Sequence, residues 1–219
     1  MSGMDDLLVE SFTHNDCQIS IYQDPDPMHP RRECDQLGVF VDWHRRANIG
    51  DRKLEGPEEE ILSEQGFDAL VEHLKTFGAV AVLPVALLDH SGYHVYIGRK
   101  PHWSDSAGWD SGQVGFIYVT AERSLELCGE VLTEEEAEKR LEAEIEKLDD
   151  YFAGRCYGFE ITGPDGEEVD SCWGFLGDID YVREEAKGAC PVSMRAGEVS
   201  EIDRLRAEYP DEARLWSVG

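Results

Sequence analysis

The sequence predicts an α+β fold with a mainly antiparallel sheet, one long amphipathic acidic helix and short C-terminal helices, and three observations lead there. Tight turns, not intervening helices, join most strand-like stretches: "DHSG" links "AVAVLPVALLD" to "YHVYIG", and "GPDG" lies inside "YGFEITGPDGEEVDSCWGF". Thr133 to Phe152 carries an apolar stripe at helical spacing. The chain's 219 residues, 41% of them hydrophobic, suffice for one sizeable core. The expected organisation is a single α+β domain over 1–177 with a helical extension over 178–219 packed on it.

Gln18 to Gln23 alternates polar and apolar residues, a strand that the three prolines of "DPDPMHP" bring to an end. "GVFVDWH" is a second strand and "GDRKLEGPEEE" a polar loop. Phe67, Leu70, Val71, Leu74 and Phe77 predict a helix from Ser63 to Phe77. "AVAVLPVALLD" is an apolar run containing Pro84, so a buried strand bulged or interrupted there is expected. "YHVYIG" completes a hairpin, and "QVGFIYV" is a further strand. Thr133 and Glu136 form a capping box, Ala137, Leu141, Ile145, Leu148 and Phe152 make one stripe, and Gly154 stops the helix. Two strands about "GPDG", a short acidic helix and a last helix near Glu201 to Tyr209 finish the chain.

Charge narrows the function classes. Against 20 Lys and Arg stand 47 Asp and Glu, a formal net charge of -27, where a small soluble domain needs a magnitude of only about 2 to 8. Such an excess repels nucleic acid and anionic lipid and favours a basic partner. Salt adaptation accounts for the same excess, and the preponderance of Arg over Lys fits it. The charge is uneven: from His29 to Lys53 there are six basic and four acidic residues, a local surplus of +2. "MSGMDD" is acidic where a secretory signal needs a basic region, and no apolar run reaches the roughly 18 residues of a membrane span. A soluble cytoplasmic chain is expected. The six cysteines contain no C-x-x-C pair, which predicts reduced thiols and no zinc.

Ser111 in "GWDSGQVGFIYVT" invites comparison with a nucleophile elbow, which needs G-x-S-x-G between a strand and a helix. Trp109 and Gln113 occupy the glycine positions, and the strand follows the turn. The serine therefore reads as structural, Gly112 as the residue that needs backbone freedom, and Asp110 and Gln113 as able to face a ligand. Cys172 would act as a thiolate only with His44 or His90 beside it, oriented by Asp42, Asp89 or Asp170; next to Trp173 and Phe175 its plainer role is core packing. His90 and His94, with His102 and Asp89 near, lack the helical face that makes H-x-x-x-H a metal motif, so no metal and no cofactor is expected. "DWHRR" offers Arg45 and Arg46 to a phosphate or carboxylate, or to neighbouring acids. The catalytic candidates are His44, His90, Asp110 and Cys172, and the ligand-binding candidates are Asp42, His44, Arg45, Arg46, Asp89, Asp110, Gln113 and Asp170.

Together "CDQLGVFVDWHRR" with "GD" after it, "DHSG", "WDSGQVGFIYV" and "DSCWGF" resemble a family of small acidic proteins of unknown function carried by bacterial and archaeal phages, prophages and plasmids. The resemblance covers about Cys34 to Gly177, with departures at Ala47 and at Ala107 and Gly108. It implies a mobile-element context and no established reaction.

The expected function is that of a non-enzymatic accessory protein in the host cytoplasm. It would inhibit a host nucleic-acid-handling or defence protein by nucleic-acid mimicry, touching neither nucleic acid nor membrane. Glu134, Glu135, Glu138, Glu142, Glu146 and Asp149 would meet this basic partner. From Thr133 to Asp150 nine acids and three bases leave -6 over roughly 27 Å of helix, about a third of duplex charge density. A second acidic element, "GPEEE" or "DGEEVD", would have to lie beside the helix. The alternative is a small enzyme or nucleotide- or phosphate-binding protein whose pocket gathers Asp42, His44, Arg45, Asp89, His90, Asp110 and Asp170; a salt-adapted interaction protein is the third reading.

Overall fold

The computed structural model describes residues 5–191, so the helix expected near Glu201 to Tyr209, with most of the 178–219 extension, lies outside the described residues. After a 3-10 turn at Asp5–Leu7 come β1 (Leu8–His14), β2 (Cys17–Gln23), β3 (Val39–Asp42), β4 (Arg52–Lys53), α1 (Pro57–Gln65), α2 (Phe67–Thr76), β5 (Ala79–Asp89) and β6 (Tyr93–Ile97). They are followed by β7 (Ser111–Thr120), α3 (Ala121–Cys128), α4 (Glu134–Phe152), β8 (Cys156–Thr162), β9 (Glu168–Leu176) and α5 (Ile179–Ala189). One sheet has the order β1-β2-β8-β9, the other β4-β3-β7-β5-β6. β1–β2, β3–β7, β5–β7 and β5–β6 are antiparallel, whereas the two-residue β4 lies parallel to β3. The class is α+β, as the turn pattern predicts.

The chain divides into two compact units. The larger comprises residues 23–157 and 173–179, and the smaller has its described residues at 5–22, 158–172 and 180–191. In the smaller unit Cys17, Ile19 and Ile21 of β2 alternate inward, and Phe159, Ile161, Val182 and Ala186 are also buried. Arg183 of α5 clamps Glu10 of β1 through Nε (3.1 Å) and Nη2 (2.6 Å), fixing helix to strand.

The larger unit has three layers. Neighbouring strand residues point to opposite faces: Phe40, Leu87, Ile117 and Val119 join Ala137, Leu141, Ile145 and Leu148 of α4 in one core, while Val41 and Phe116 join Phe67, Leu70 and Leu74 of α2 in the other. The five-stranded sheet therefore carries α4 on one face and α2, with α1 beside it, on the other. Each buried Leu or Ile of α4 contributes roughly 1.5–3 kcal/mol of burial. The capping box is formed: Thr133 Oγ1 accepts from Glu136 N at 3.3 Å and a Glu136 carboxylate oxygen accepts from Thr133 N at 3.0 Å.

Several local expectations change. The "polar loop" contains β4 and α1; Pro57 and three following glutamates start that helix, which has no fully buried residue and so shows no apolar period. The helix expected over Ser63 to Phe77 is broken at Gly66, whose φ of +86° makes it the last cap of α1 and the first of α2. β5 runs uninterrupted through Pro84, and of its two register shifts against β7 one falls just after the proline, between Val85 and Ala86, as the expected bulge. The missing N–H costs no ladder bond towards β6, because that pairing begins at Val85.

Candidate functional site

Because β3 and β5 both run antiparallel to β7, the ends of β3 and β5 and the start of β7 meet at one end of the sheet. Asp42 closes β3 and is 1% exposed. Its Oδ1 accepts from His44 N (3.0 Å) and Lys53 Nζ (2.5 Å), and its Oδ2 from Gly50 N (2.9 Å). Lys53 Nζ also donates to the carbonyls of His44 (2.7 Å) and Ala47 (2.8 Å). Carboxylate and ammonium thus staple the 43–50 loop. Asp42 holds the backbone, with its oxygens already occupied, and does not present a free carboxylate to a ligand.

His44 is mostly buried and lies edge-on to Tyr93, with ring centroids 5.9 Å apart. Its Nδ1 accepts from Ala47 N (3.2 Å), which assigns the proton of the neutral ring to Nε2, 3.9 Å from Asp89 Oδ2. The same Asp89 oxygen accepts from Arg46 Nη2 at 2.5 Å. His90 Nδ1 stands 3.2 Å from Asp110 Oδ2, both side chains open to solvent, and Asp89 N donates to Asp110 O at 2.8 Å. The structure therefore brings together His44, Arg46, Asp89, His90 and Asp110, with His44 and Asp89 largely covered and the His90–Asp110 pair open to solvent. Arg45 is exposed and makes no ion pair among the described residues. Gln113 turns back on its own strand, donating to Gly115 O at 3.2 Å. Asp170 and Cys172 lie on β9 in the smaller unit, both exposed, so Cys172 is not the core residue its neighbours suggested.

Ser111 opens β7 and is structural. Its Oγ donates to Asp105 Oδ2 (2.8 Å) and accepts from His102 N (2.9 Å). Asp105 also accepts from the backbone of Trp109 (3.2 Å) and Asp110 (2.8 Å). Desolvation pushes this carboxyl up, but these bonds together outweigh it and hold Asp105 below the usual carboxylate range. The glycine expectation moves: a Cβ on Gly112 would meet nothing within 4 Å, whereas one on Gly115 would lie 2.6 Å from the Phe40 ring and collide with Val41 O. Close strand approach, not turn freedom, is what demands glycine here.

The sequence reading missed a buried ion network. Arg31, its side chain 1% exposed, holds Asp51 through Nε (2.9 Å) and Nη2 (2.6 Å), Glu144 through Nη1 (3.1 Å) and Gly38 O through Nη2 (2.7 Å). Glu144 in turn accepts from Leu37 N at 2.6 Å and Asp51 from Phe40 N at 2.7 Å. Burial alone would lower the Arg31 pKa; the two carboxylates reverse this and raise it. The surplus of positive charge between His29 and Lys53 is the one sequence signal for this network; Asp51 lies within that stretch, but Glu144 is 113 positions from Arg31.

The acidic helix separates its carboxylates by role. Asp149 faces the sheet, accepting from Val95 N (2.9 Å) and Arg155 Nη2 (2.8 Å), and so is withdrawn from the partner-facing set. Glu134 pairs with Lys75 at 3.1 Å and Glu135 with Lys139 at 2.7 Å. Glu138, Glu142 and Glu146 recur every fourth residue and make no ion pair among the described residues; Glu142 and Glu146 are exposed and Glu138 is half-buried. "GPEEE" starts α1 on the opposite sheet face, so it is not the second acidic element beside α4. "DGEEVD" belongs to the smaller unit.

Among the described residues no three His, Cys, Asp or Glu side chains gather as metal ligands, and no helix is long and apolar enough to cross a membrane. No family model, no curated protein and no solved structure matches the chain.

Proposed function

We propose that the chain is a non-enzymatic binding protein that engages a basic protein through the outward face of α4, with Glu138, Glu142 and Glu146 at its centre. The observation that carries this reading is a row of three carboxylates without ion pairs, spaced one helical turn apart along α4. At the loop end of the sheet Asp42 is matched by Lys53 and Asp89 by Arg46, and Asp110 lies 3.2 Å from the His90 ring, whereas the three α4 glutamates have no counter-ion among the described residues. The motif resemblance supports a mobile-element protein in a host cytoplasm, acting on a host nucleic-acid-handling or defence protein. With α1 on the other sheet face, the contact is one strip of phosphate-like charge, not imitation of a full duplex. The Asp/His/Arg pocket has less support, because Asp42 is saturated and Asp89 is neutralised.

The test replaces Glu138, Glu142 and Glu146 with Lys and compares capture of a partner from host lysate across a salt titration. The wild type should bind with an affinity that falls steeply as salt rises, and the triple variant should lose the partner. Capture of the same protein by the triple variant with unchanged affinity would overturn the reading.

A further inference from the structure

On the sheet face opposite α4, the chain before α1 and the end of α2 border an open groove of about 800 Å³. One wall carries Arg52, Glu55 and Glu58; another carries His73 and Phe77, and Tyr118 of β7 lines it as well. Arg52 is already committed, its Nη2 donating to Glu58 Oε1 at 2.7 Å. Glu58 Oε2, by contrast, is shielded from solvent and has no hydrogen-bond partner, the single such side-chain atom found among the described residues. A buried carboxylate oxygen left without a donor is costly, and Glu58 is one of the residues that line the groove. Phe77 is 73% exposed and packs against His73, with ring centroids 4.8 Å apart and planes tilted by 54°, a preformed aromatic surface.

We infer that this groove is a binding site for an organic cation, a guanidinium or primary ammonium on an alkyl stem. The charged head meets Glu58 and Glu55 while the stem and cation lie on Phe77 and His73. An anion is disfavoured, because Glu58, Glu59 and Glu60 fill the first turn of α1 and the one guanidinium present is paired. The site is separate from the α4 face, so either reading can fail alone.

The probes are Nα-acetyl-arginine methylamide, standing for a protein side chain, butylguanidine, standing for a free organic cation, and Nα-acetyl-citrulline methylamide as the neutral isostere, each titrated into isotope-labelled protein by NMR. Saturable shifts confined to the amides of Glu58, Phe77 and Thr120 are expected with at least one cation, and whichever binds names the source. Glu58→Gln should weaken binding about tenfold, the loss of one charge-assisted contact. Phe77→Ala should weaken it as well, and because Phe77 is exposed this variant remains informative if Glu58→Gln perturbs α1. The Lys triple variant of α4 should retain the groove shifts. Equal binding of citrulline, no saturable shift with either cation, shifts scattered over the acidic surface, or affinity unchanged in both groove variants would overturn the site.

Discussion

The loop end of the sheet and the outward face of α4 are both rich in carboxylates, yet they use them differently. At the loop end Asp42 takes two backbone amides and an ammonium, and Asp105 takes two amides and a hydroxyl. Those charges organise the turns by holding their backbone amides. Along α4 the apolar stripe already fixes the helix, so its outer glutamates are not needed to hold it. Residue type alone therefore does not mark a site in so acidic a chain. What matters is whether the fold has already supplied the counter-ion or donor.

The largest effect comes from removing the buried cation of the Arg31 network, whose carboxylates, like those of the loop end, already have their counter-ion. Arg31→Met leaves Asp51 and Glu144 facing each other without their guanidinium, and breaking a buried ion pair by deleting one partner costs about 3–5 kcal/mol. Both acids retain backbone donors and Asp51 keeps some solvent, so the lower end of that range is expected in urea unfolding. A loss under about 1 kcal/mol would mean that the network is not integral to the core. Next comes Gly115→Ala, which forces a methyl against the Phe40 ring and the Val41 carbonyl; overpacking of this kind costs about 1–3 kcal/mol. Gly112→Ala on the same strand should be close to neutral, and a larger loss there than at position 115 would refute the close-approach account.

Much of the fold was legible because its strands and α4 carry apolar patterns that their burial requires. Ala137, Leu141, Ile145 and Leu148 are all buried, and β5 to β7 follow the predicted runs closely. The misses share a cause: no periodic apolar face. α1 has no fully buried residue, and α3 buries Ser124 while exposing Leu125 and Leu127, the reverse of a readable stripe. Pro57 ahead of three glutamates was the overlooked cue for α1. In the candidate site, neighbours such as Asp89, His90 and Asp110 were foreseeable from their turns. The Arg31 network, with a partner 113 positions away, was not, because antiparallel pairing and helix docking are long-range events that local spacing does not encode.

A smaller effect sharpens the account of the loop. Ser111→Ala removes the hydroxyl that accepts from His102 N and donates to Asp105, at a cost of about 1 kcal/mol. The Asp105 carboxyl is depressed in the fold, so its contribution is present above its ordinary value of 3.8 and is lost as pH falls through the folded value below that. Acid titration of loop order, followed by the emission of the exposed Trp103 and Trp109, should therefore show a transition in the wild type that shrinks in Ser111→Ala. Identical acid profiles would separate the serine from the Asp105 turn.

The smallest expected effect on stability belongs to the region proposed to matter most for binding. Replacing Glu138, Glu142 and Glu146 with Lys changes the charge by six units while leaving Leu141, Ile145 and Leu148 in place. The three glutamates break no ion pair when they leave, and exposed pairs are worth only about 0–1 kcal/mol even where they exist. Unfolding of the variant should therefore match the wild type to within about 1 kcal/mol at moderate salt. Self-repulsion across a chain of net charge -27 adds a second readout: salt should stabilise the wild type and do so less in the variant, whose net charge is smaller in magnitude. Pure salt adaptation predicts that salt response with no binding phenotype, whereas the α4 reading predicts the same response together with loss of the partner. A triple variant markedly less stable than the wild type would show that these carboxylates are already doing structural duty, which would erase the contrast with the loop end.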